Sequence, residues 1–598
     1  MPDCLDTWLM GGDLNMPRIT AIELENFQSI ERRTRIDLKP ITLLFGPNSA
    51  GKSTVFDALE LLRVLLDPNE FDENRAADMV NRWARRGAKE ENTRELFVAV
   101  EFPFEHVDLV KVWDDSSNWL GHFPRTDQPE FWIYTFDDDL NDIEPYFNSE
   151  TVRIELLLKV ETEKEGIKCR LSECRCTLMG KPLLSITKAD PCNEDGQDEA
   201  YVDGDMEYGE RILVIYNDLD FITPGLLSQL FQLNAEESKF ILRKDGSNYA
   251  VACGVVTRSL SPLNVSVGPG MYRLHWKGMP HQIRQNYCDI LFYLGTMLFK
   301  PLRGQPDTVK SDRRTPNPKE ALTVVDLGLS GWWSRDIFSP SSPAALLSAV
   351  SAGIDEHYRG LAEVAHADVV LKAAGDVFWG GEHAAKHLEP VRNRSKILER
   401  VNYHLERNLF TEKLYKLQCA STAMVPIDLS EDDLQGYYIL AQPSVVRLFL
   451  QDGEGHKVEL QDVGSGIPFV LPILYTVACG KLVRVQQPEL HLHPALQSSI
   501  ADVFIEELNQ NNSTQFIIET HSEHLLLRLL RRIRDLEHNQ CITDDLKLTN
   551  DQIAVYYFDP QVSQGTVVTR QLVTPLGDFY TDWPRGFFAE RNHDLFDR

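Results

Sequence analysis

Gly46-Pro47-Asn48-Ser49-Ala50-Gly51-Lys52-Ser53 has the spacing G-x-x-x-x-G-K-[ST]. An apolar run of strand character, Ile41 to Phe45, enters it, and a helical pattern leaves it through Val55, Ala58, Leu59, Leu62, Leu65 and Leu66. Glycines let a backbone wrap closely around polyphosphate, and successive N–H groups and a helix N-terminus face the anion. A lysine then reaches the β- and γ-phosphates, and a hydroxyl ligates Mg²⁺. Gly46, Pro47, Asn48, Ser49, Ala50, Gly51, Lys52, Ser53 and Thr54 are therefore the candidate nucleotide-binding residues, with Lys52 also acting on the reacting phosphate and Ser53 on the metal. A Gly-rich turn that matches by chance is the competing account, and the flanking strand and helix argue against it.

Three more groupings follow far downstream: Asp462-Val463-Gly464-Ser465-Gly466, then Gln486-Gln487-Pro488-Glu489-Leu490-His491-Leu492-His493-Pro494, then Glu519-Thr520-His521-Ser522. Alone, each is weak. Gly464 to Gly466 is a turn in most proteins, and His521 is an ordinary residue at a helix start. His491 and His493 have no acidic or Cys partner at ligand spacing, so they read as structural turn residues at a subunit interface rather than zinc ligands.

The elements that must position these groups form two α/β stretches. Before the loop, Arg18 to Phe27 and Thr34 to Leu38 read as strands, and Glu95 to Phe104 reads as another after the loop helix. Strict alternation of Val152, Ile154, Leu156, Leu158 and Val160, with turns at Lys164-Glu165-Gly166 and Gly180-Lys181, predicts an antiparallel meander over 151–187. Arg211 to Tyr216 resumes a strand after an acidic loop. Helical patterns cover 281–300, 344–364 and 395–417, with a Pro-broken linker at 305–319. Beyond them, a hairpin turns around Asp452 to Gly455. Helices over 467–478, 494–509 and 522–534 then alternate with strands at 481–485 and 515–518, which implies a partly parallel sheet.

A chain of 598 residues with 43% apolar and 25% charged residues can bury a core. Its net charge of −29 opposes indiscriminate binding to nucleic acid or anionic membrane. His281 to Ala420 is near neutral, with 18 Lys and Arg against 16 Asp and Glu, and is the one stretch left open to DNA or RNA; a face turned to protein fits equally. Ten cysteines without a regular framework suggest reduced thiols in a cytoplasmic protein, and Cys169, Cys174 and Cys176 have strand alternation rather than zinc spacing. No run of 18 apolar residues predicts a membrane span, and residues 1–15 are too acidic and too weakly apolar for a secretory signal. Met16 is a competing start.

The four motifs, in this order and spacing, resemble the ABC-type ATPase heads of the SMC and OLD (overcoming lysogenisation defect) families, and bacterial AAA-family ATPases carrying Pro488-Glu489-Leu490-His491-Leu492-His493-Pro494. The resemblance covers about residues 17–66 and 440–535. It implies an α/β fold, an ABC-type P-loop ATPase head with an antiparallel β subdomain, a helical insertion and a small C-terminal extension. The corresponding parts are 1–16 as leader, 17–280 and 436–540 as the two halves of the head, 281–435 as a mainly helical insertion, and 541–598 as the extension, where Trp583 and its aromatic neighbours read as a plug on the head. In such heads a Gly-Ser-Gly element caps the γ-phosphate bound by the opposite subunit, which would carry to Gly464, Ser465 and Gly466. Acidic residues ending the second strand handle Mg²⁺ and the attacking water, which would carry to Gln486 as metal ligand and Gln487 as catalytic residue, and a His after the next strand senses the γ-phosphate, which would carry to His521.

The chain departs from this pattern where it matters. An amide holds a water but neither takes its proton nor offers negative charge to Mg²⁺, so Gln486 and Gln487 predict slow hydrolysis unless Glu489 or Glu519 substitutes. ATP and Mg²⁺ are the expected cofactors, and a homodimer of heads is the expected assembly. Many stand-alone bacterial relatives work in anti-phage defence beside a nuclease or toxin, and the 77 residues after His521 show no convincing nuclease constellation, so a separate effector protein is the expected partner. The alternatives are a non-hydrolysing, ATP-dependent scaffold and an SMC-type DNA-repair ATPase, the latter lacking a heptad stretch long enough for a coiled-coil arm. Arg392 and Arg394, or Arg303, read as nucleotide or partner sensors or as a solvated basic face. Arg528, Arg531, Arg532 and Arg534 suit either a polyanion or a helix C-terminus.

Overall fold

The computed structural model describes residues 19–66, 72–86, 93–104, 150–163, 166–178, 181–188, 210–216, 249–256, 324–325, 356–375, 382–422, 445–460, 462–464, 466–480, 482–510, 514–538, 540, 543–561, 565–581 and 583–584. In chain order the head opens with β1 (Ala21–Glu25), β2 (Thr34–Asp37), β3 (Ile41–Phe45), α1 (Thr54–Leu66), α2 (Glu73–Trp83) and β4 (Thr93–Phe104). The meander follows as β5 (Glu150–Glu163), β6 (Gly166–Leu178), β7 (Lys181–Lys188), β8 (Glu210–Tyr216) and β9 (Tyr249–Val256). Next come β10 (Val324–Val325), α3 (Glu356–Gly375), α4 (Glu382–His404), a π turn at Leu405–Leu409, β11 (Lys416–Thr422), β12 (Val445–Gln451) and β13 (Lys457–Glu459). The chain then alternates through α5 (Gly466–Cys479), β14 (Leu482–Gln486), α6 (Pro494–Gln510), β15 (Gln515–Glu519) and α7 (Glu523–Glu537), and ends in β16 (Ile553–Gln561) and β17 (Gly565–Gln571).

β3 is the hub, and all five of its residues are buried. Side chains alternate across a strand, so Ile41, Leu43 and Phe45 face one way and Leu44 the other. Leu44 joins a core with α1, α2 and the meander, whereas Ile41, Leu43 and Phe45 join a second core with α3 to α7. A strand buried on both faces belongs inside a parallel sheet. β3 lies there, in a five-stranded sheet of order β14-β15-β3-β16-β17, with β14, β15 and β16 parallel to it through their chain of pairings and β17 antiparallel. All the parallel strands end on one side, at the phosphate loop.

The antiparallel β subdomain is an eight-stranded sheet of order β2-β1-β4-β5-β6-β7-β8-β9. As the alternation predicts, Val152, Ile154, Leu156, Leu158 and Val160 of β5 are buried, and Cys174 and Cys176 of β6 lie in the same core. The other face carries charge: Arg153 reaches Glu101 at 2.6 Å and Glu155 at 2.7 Å, and also pairs with Glu23, while Arg35 takes both oxygens of Glu101. An alternating strand thus buries its apolar side on α1 and α2 and pairs its charges on the other.

The mainly helical stretch departs from expectation at its end. A helix over 395–417 was the sequence reading, but α4 stops at His404 and Lys416 opens β11, a strand paired with β12. Asn402 explains the switch: its side chain donates to Leu417 O at 3.2 Å and accepts from Leu417 N at 2.7 Å, docking the strand backbone against the helix. The helix expected over 344–364 is described from Glu356 onward, and 281–300, the 305–319 linker and Arg303 lie outside the described residues, as does the 1–16 leader.

β16 is the larger surprise. Placed by sequence in an extension of 541–598, it instead lies beside β3 at the centre of the sheet, with Ile553 opposite Ile41 and Tyr557 opposite Phe45. Trp583 then packs on this seam, its ring 5.6 Å from that of Phe45 and 4.9 Å from that of Phe579. The Phe558 carbonyl presses on the loop: a Cβ built on Gly46, where φ is +146°, would lie 2.5 Å from that oxygen. Gly46→Ala therefore forces a backbone clash in a strained conformation and is expected to cost about 1–3 kcal/mol. Urea unfolding of the variant should show a lower midpoint, and an unchanged midpoint would mean that β16 yields freely.

Candidate functional site

The loop between β3 and α1 wraps a buried lysine. Lys52 is 3% exposed, and its Nζ donates to Gly46 O at 3.1 Å and Pro47 O at 2.9 Å and stands 3.7 Å from Glu519 Oε1. Burial pulls its pKa down, and Glu519 and Glu489 oppose that fall. Ser49 takes a left-handed φ of 62° and Gly51 one of 89°, the irregular backbone that turns successive N–H groups inward. Ser53 follows at the head of α1, its carbonyl accepting from Phe56 N and Asp57 N.

Two braces hold this loop, and neither was read from the sequence. On one side the turn Asn26 to Ile30 lies over it: Thr54 Oγ1 donates to Gln28 Oε1 at 2.7 Å, and Ser29 Oγ sits 1.9 Å from where a Gly51 Cβ would be. On the other side Thr566 Oγ1 donates to Ala50 O at 2.8 Å. Within that turn Gln28 and Asn26 adopt left-handed φ of 48° and 52°, which their residue types alone did not mark.

The second half of the site is built where β14 and β15 end. Gln486 and Glu519 are register partners in the parallel pair. Gln487 then turns the chain with a left-handed φ of 48° while its N–H donates to Glu519 O at 2.7 Å. That turn brings Glu489 back under β15, where its two oxygens accept from Thr520 Oγ1 and from His521 N, each at 2.7 Å. Burial pushes Glu489 up, against those hydrogen bonds and Lys52. Glu519 is pushed up by burial as well, with Lys52 and a side-chain contact from Gln486 favouring its charge. His521 is pushed down to about 4, first by burial and then by Lys52.

One cation, two carboxylates, an amide and a neutral imidazole thus meet at the ends of β3, β14 and β15. Two of their atoms, Glu519 Oε2 and His521 Nε2, are buried without a hydrogen-bond partner among the described residues. Buried polar atoms ordinarily have partners, so such a pair marks a place that a polar ligand completes. Lys52, Gln486, Glu489 and His521 come together at these strand ends.

The Gly-Ser-Gly element stands apart. Gly464 and Gly466 open α5, Ser465 lies outside the described residues, and no described hydrogen bond joins the glycines to Lys52, Glu489, Glu519 or His521. The His491 ring stacks on Phe469 of α5 with centroids 4.3 Å apart, and the turn at His491 has φ 61°. His493 is exposed and its Nδ1 accepts from Ala495 N at 3.3 Å, at the Pro-led start of α6. Both histidines therefore shape the turn that carries α5 and α6.

The arginines of α7 are engaged within the head. Arg532 makes two bonds to Asp502 of α6, at 2.8 and 2.9 Å, Arg528 joins the same carboxylate, and Arg534 reaches Asp578 at 2.8 Å. Arg392 of α4 is exposed and Arg394 half-buried.

Comparison with known proteins sharpens the family. Residues 18–179 match a family model described as an AAA ATPase domain, and residues 382–528 match one described as an AAA domain, putative AbiEii toxin, Type IV TA system. Among solved structures, an Smc head bound to the C-winged helix domain of ScpA is 11% identical, with 93% of this chain and 98% of that chain covered and a TM-score of 0.37. The SMC head domain from Thermotoga maritima is 9% identical over 92% of this chain and 98% of that one, with a TM-score of 0.29. An Smc head with an extended coiled coil from Pyrococcus furiosus is 12% identical over 93% and 96%, with a TM-score of 0.31. No curated protein sequence matches the chain. The phosphate loop and the paired strand ends thus fall within two matched segments, and the chain carries AAA-family ATPase domains.

Proposed function

We propose that the chain is an ATP-binding, slowly hydrolysing switch that dimerises around nucleotide and controls a separate effector, a nuclease or toxin, in bacterial anti-phage defence. One observation supports the dimer: among the described residues nothing lies within 4 Å of where a Cβ on Gly464 would stand, so an element that caps phosphate in related heads is open there while the loop around Lys52 is braced. A second copy supplies the cap. The toxin–antitoxin description of the model matched by 382–528 supports the effector half of the reading.

Within one subunit the division of labour follows from the geometry. Loop N–H groups from Gly46 to Ser53 and the N-terminus of α1 bind the phosphates, and Lys52 exchanges its two loop carbonyls for phosphate oxygens. A Mg²⁺ ion bound with those phosphates would take the Ser53 hydroxyl and the Gln486 amide oxygen, a donor set that suits a hard cation still carrying water and phosphate ligands. The metal supplies charge neutralisation on the leaving phosphates. His521, neutral at physiological pH because burial and Lys52 hold it near 4, would offer a ring N–H to the γ-phosphate.

The scaffold alternative draws on Gln486 and Gln487, which offer neither charge nor a base. An SMC-type DNA-repair role or contact with DNA or RNA would run through 281–420, most of which lies outside the described residues.

Three measurements on purified protein separate these readings. Lys52→Ala is expected to weaken ATP binding by about 1.5–3 kcal/mol, the value of hydrogen bonds to a charged group, or roughly 10- to 100-fold in titration calorimetry; affinity equal to wild type would remove the phosphate-loop assignment. ATP with Mg²⁺ should shift wild type from monomer to dimer in sedimentation, and Ser465→Arg should block that shift while the single subunit still binds ATP, with the affinity lowered by the lost coupling. Gln487→Glu, by adding a carboxylate at the tip of β14, is expected to raise turnover at least about tenfold, whereas wild type that binds ATP and shows no turnover would sustain the scaffold alternative.

A further inference from the structure

We infer that Glu519 is the general base for ATP hydrolysis in this chain, the carboxylate having moved from the tip of β14 to the tip of the neighbouring strand β15. The inference rests on the ATP-binding reading above and names the group that performs its chemistry.

The two acids of the site are not equivalent. Each oxygen of Glu489 accepts a hydrogen bond, one from the Thr520 hydroxyl and one from the His521 N–H, so this carboxylate orients the strand-to-helix turn that carries His521. Glu519 is placed differently. Its Oε1 is 3.7 Å from Lys52 Nζ, and its Oε2 is buried with no hydrogen-bond partner among the described residues. Gln486, which stands where related heads keep an acid, is its register partner, so the transfer of the carboxylate spans one strand spacing, about 4.8 Å. A long side chain covers that distance. Gln487 is bound to the same residue by its backbone N–H on the Glu519 carbonyl, which fixes the backbone at 487 beside the end of β15.

Lys52 Nζ lies among the carbonyls of Gly46 and Pro47 and beside Glu519. When Lys52 turns to the phosphates, Glu519 loses its nearest cation and its oxygens are left for a water. That water gives a proton to Glu519 as its oxygen bonds the γ-phosphorus. The bond from this phosphorus to the β–γ bridging oxygen breaks, the bridging oxygen keeps the electron pair and leaves on ADP, and Glu519 returns its proton to solvent.

The test compares wild type with Glu519→Gln, which keeps size and hydrogen-bonding capacity, and with Glu519→Gln/Gln487→Glu. Turnover of Glu519→Gln is expected to fall at least about 100-fold, the lower range for loss of a general base, and the double variant should recover a measurable part of it. ATP binding without Mg²⁺, read by titration calorimetry and so independent of turnover, should tighten severalfold in Glu519→Gln, because a negative charge beside the phosphates and a competitor for Lys52 are removed. Turnover within about threefold of wild type would overturn the assignment. So would loss of ATP binding in Glu519→Gln, which would make Glu519 a structural partner of Lys52. Wild type that binds ATP yet hydrolyses no faster than Lys52→Ala overturns the base and leaves the ATP-dependent dimer standing, whereas wild type that fails to bind ATP overturns both.

Discussion

A lysine with 3% of its surface exposed has to be met by oxygen, and the way Lys52 is met sets the positions of everything around it. An unpaired buried ammonium costs roughly several kcal/mol. Here two carbonyls of its own loop and the Glu519 carboxylate supply the oxygens. For the carbonyls of Gly46 and Pro47 to turn inward the loop needs φ of +146° at Gly46, and that conformation is closed from behind by the Phe558 carbonyl of β16. For Glu519 to stand at the right height, β15 must pair with β3 in the register that sets Glu519 opposite Leu44. The central sheet, its neighbours on both sides and the loop are thus consequences of one buried charge and its oxygens.

How much of this was legible follows from the range of each interaction. β3, α1 and the phosphate loop are written within 26 consecutive residues, where alternation gives way to helical spacing across a run of glycines. The meander was equally readable, since the alternation in β5 answers only to its own two faces. β16 was not. Its residues Ile553 to Phe558 are buried on both sides, but the strand that gives them a place is more than 500 residues earlier, and no local pattern names that partner. The end of α4 was missed for a similar reason: helical spacing continues through Leu405 and Leu409 into the π turn, and only the contact of Asn402 with Leu417 shows that the backbone has changed its hydrogen bonding. In the site, Lys52, Glu489 and His521 were found by motif, whereas Gln28 and Thr566 act through hydrogen bonds with Thr54 and Ala50 that sequence spacing does not encode.

The charge of the molecule follows the same logic on a larger scale. A net charge of −29 would crowd like charges if it were spread evenly, yet the outer face of the meander sets arginines among its glutamates, with Arg35 and Arg153 holding Glu101 below the usual carboxylate range against its burial. Exposed pairs contribute little individually, about 0–1 kcal/mol. Their use here is to let the neighbouring strands β1, β4 and β5 carry Glu23, Glu101 and Glu155 close together on one face without repulsion.

At that place the amide pair has a physical logic of its own. With carboxylates at 486 and 487, four acids would surround a single buried lysine, and each added like charge would raise the cost of ionising the rest. Glu489 and Glu519 are already raised by burial, with only Lys52 and local hydrogen bonds to support their charge. Gln486 and Gln487 remove two of the four charges while keeping oxygen and N–H groups at the same positions, so the remaining carboxylates ionise at less cost and a nucleotide bearing several negative charges meets less repulsion. On the proposed switch reading the cost is one base fewer at the tip of β14, and a site arranged in this way would hold nucleotide more readily than it cleaves it.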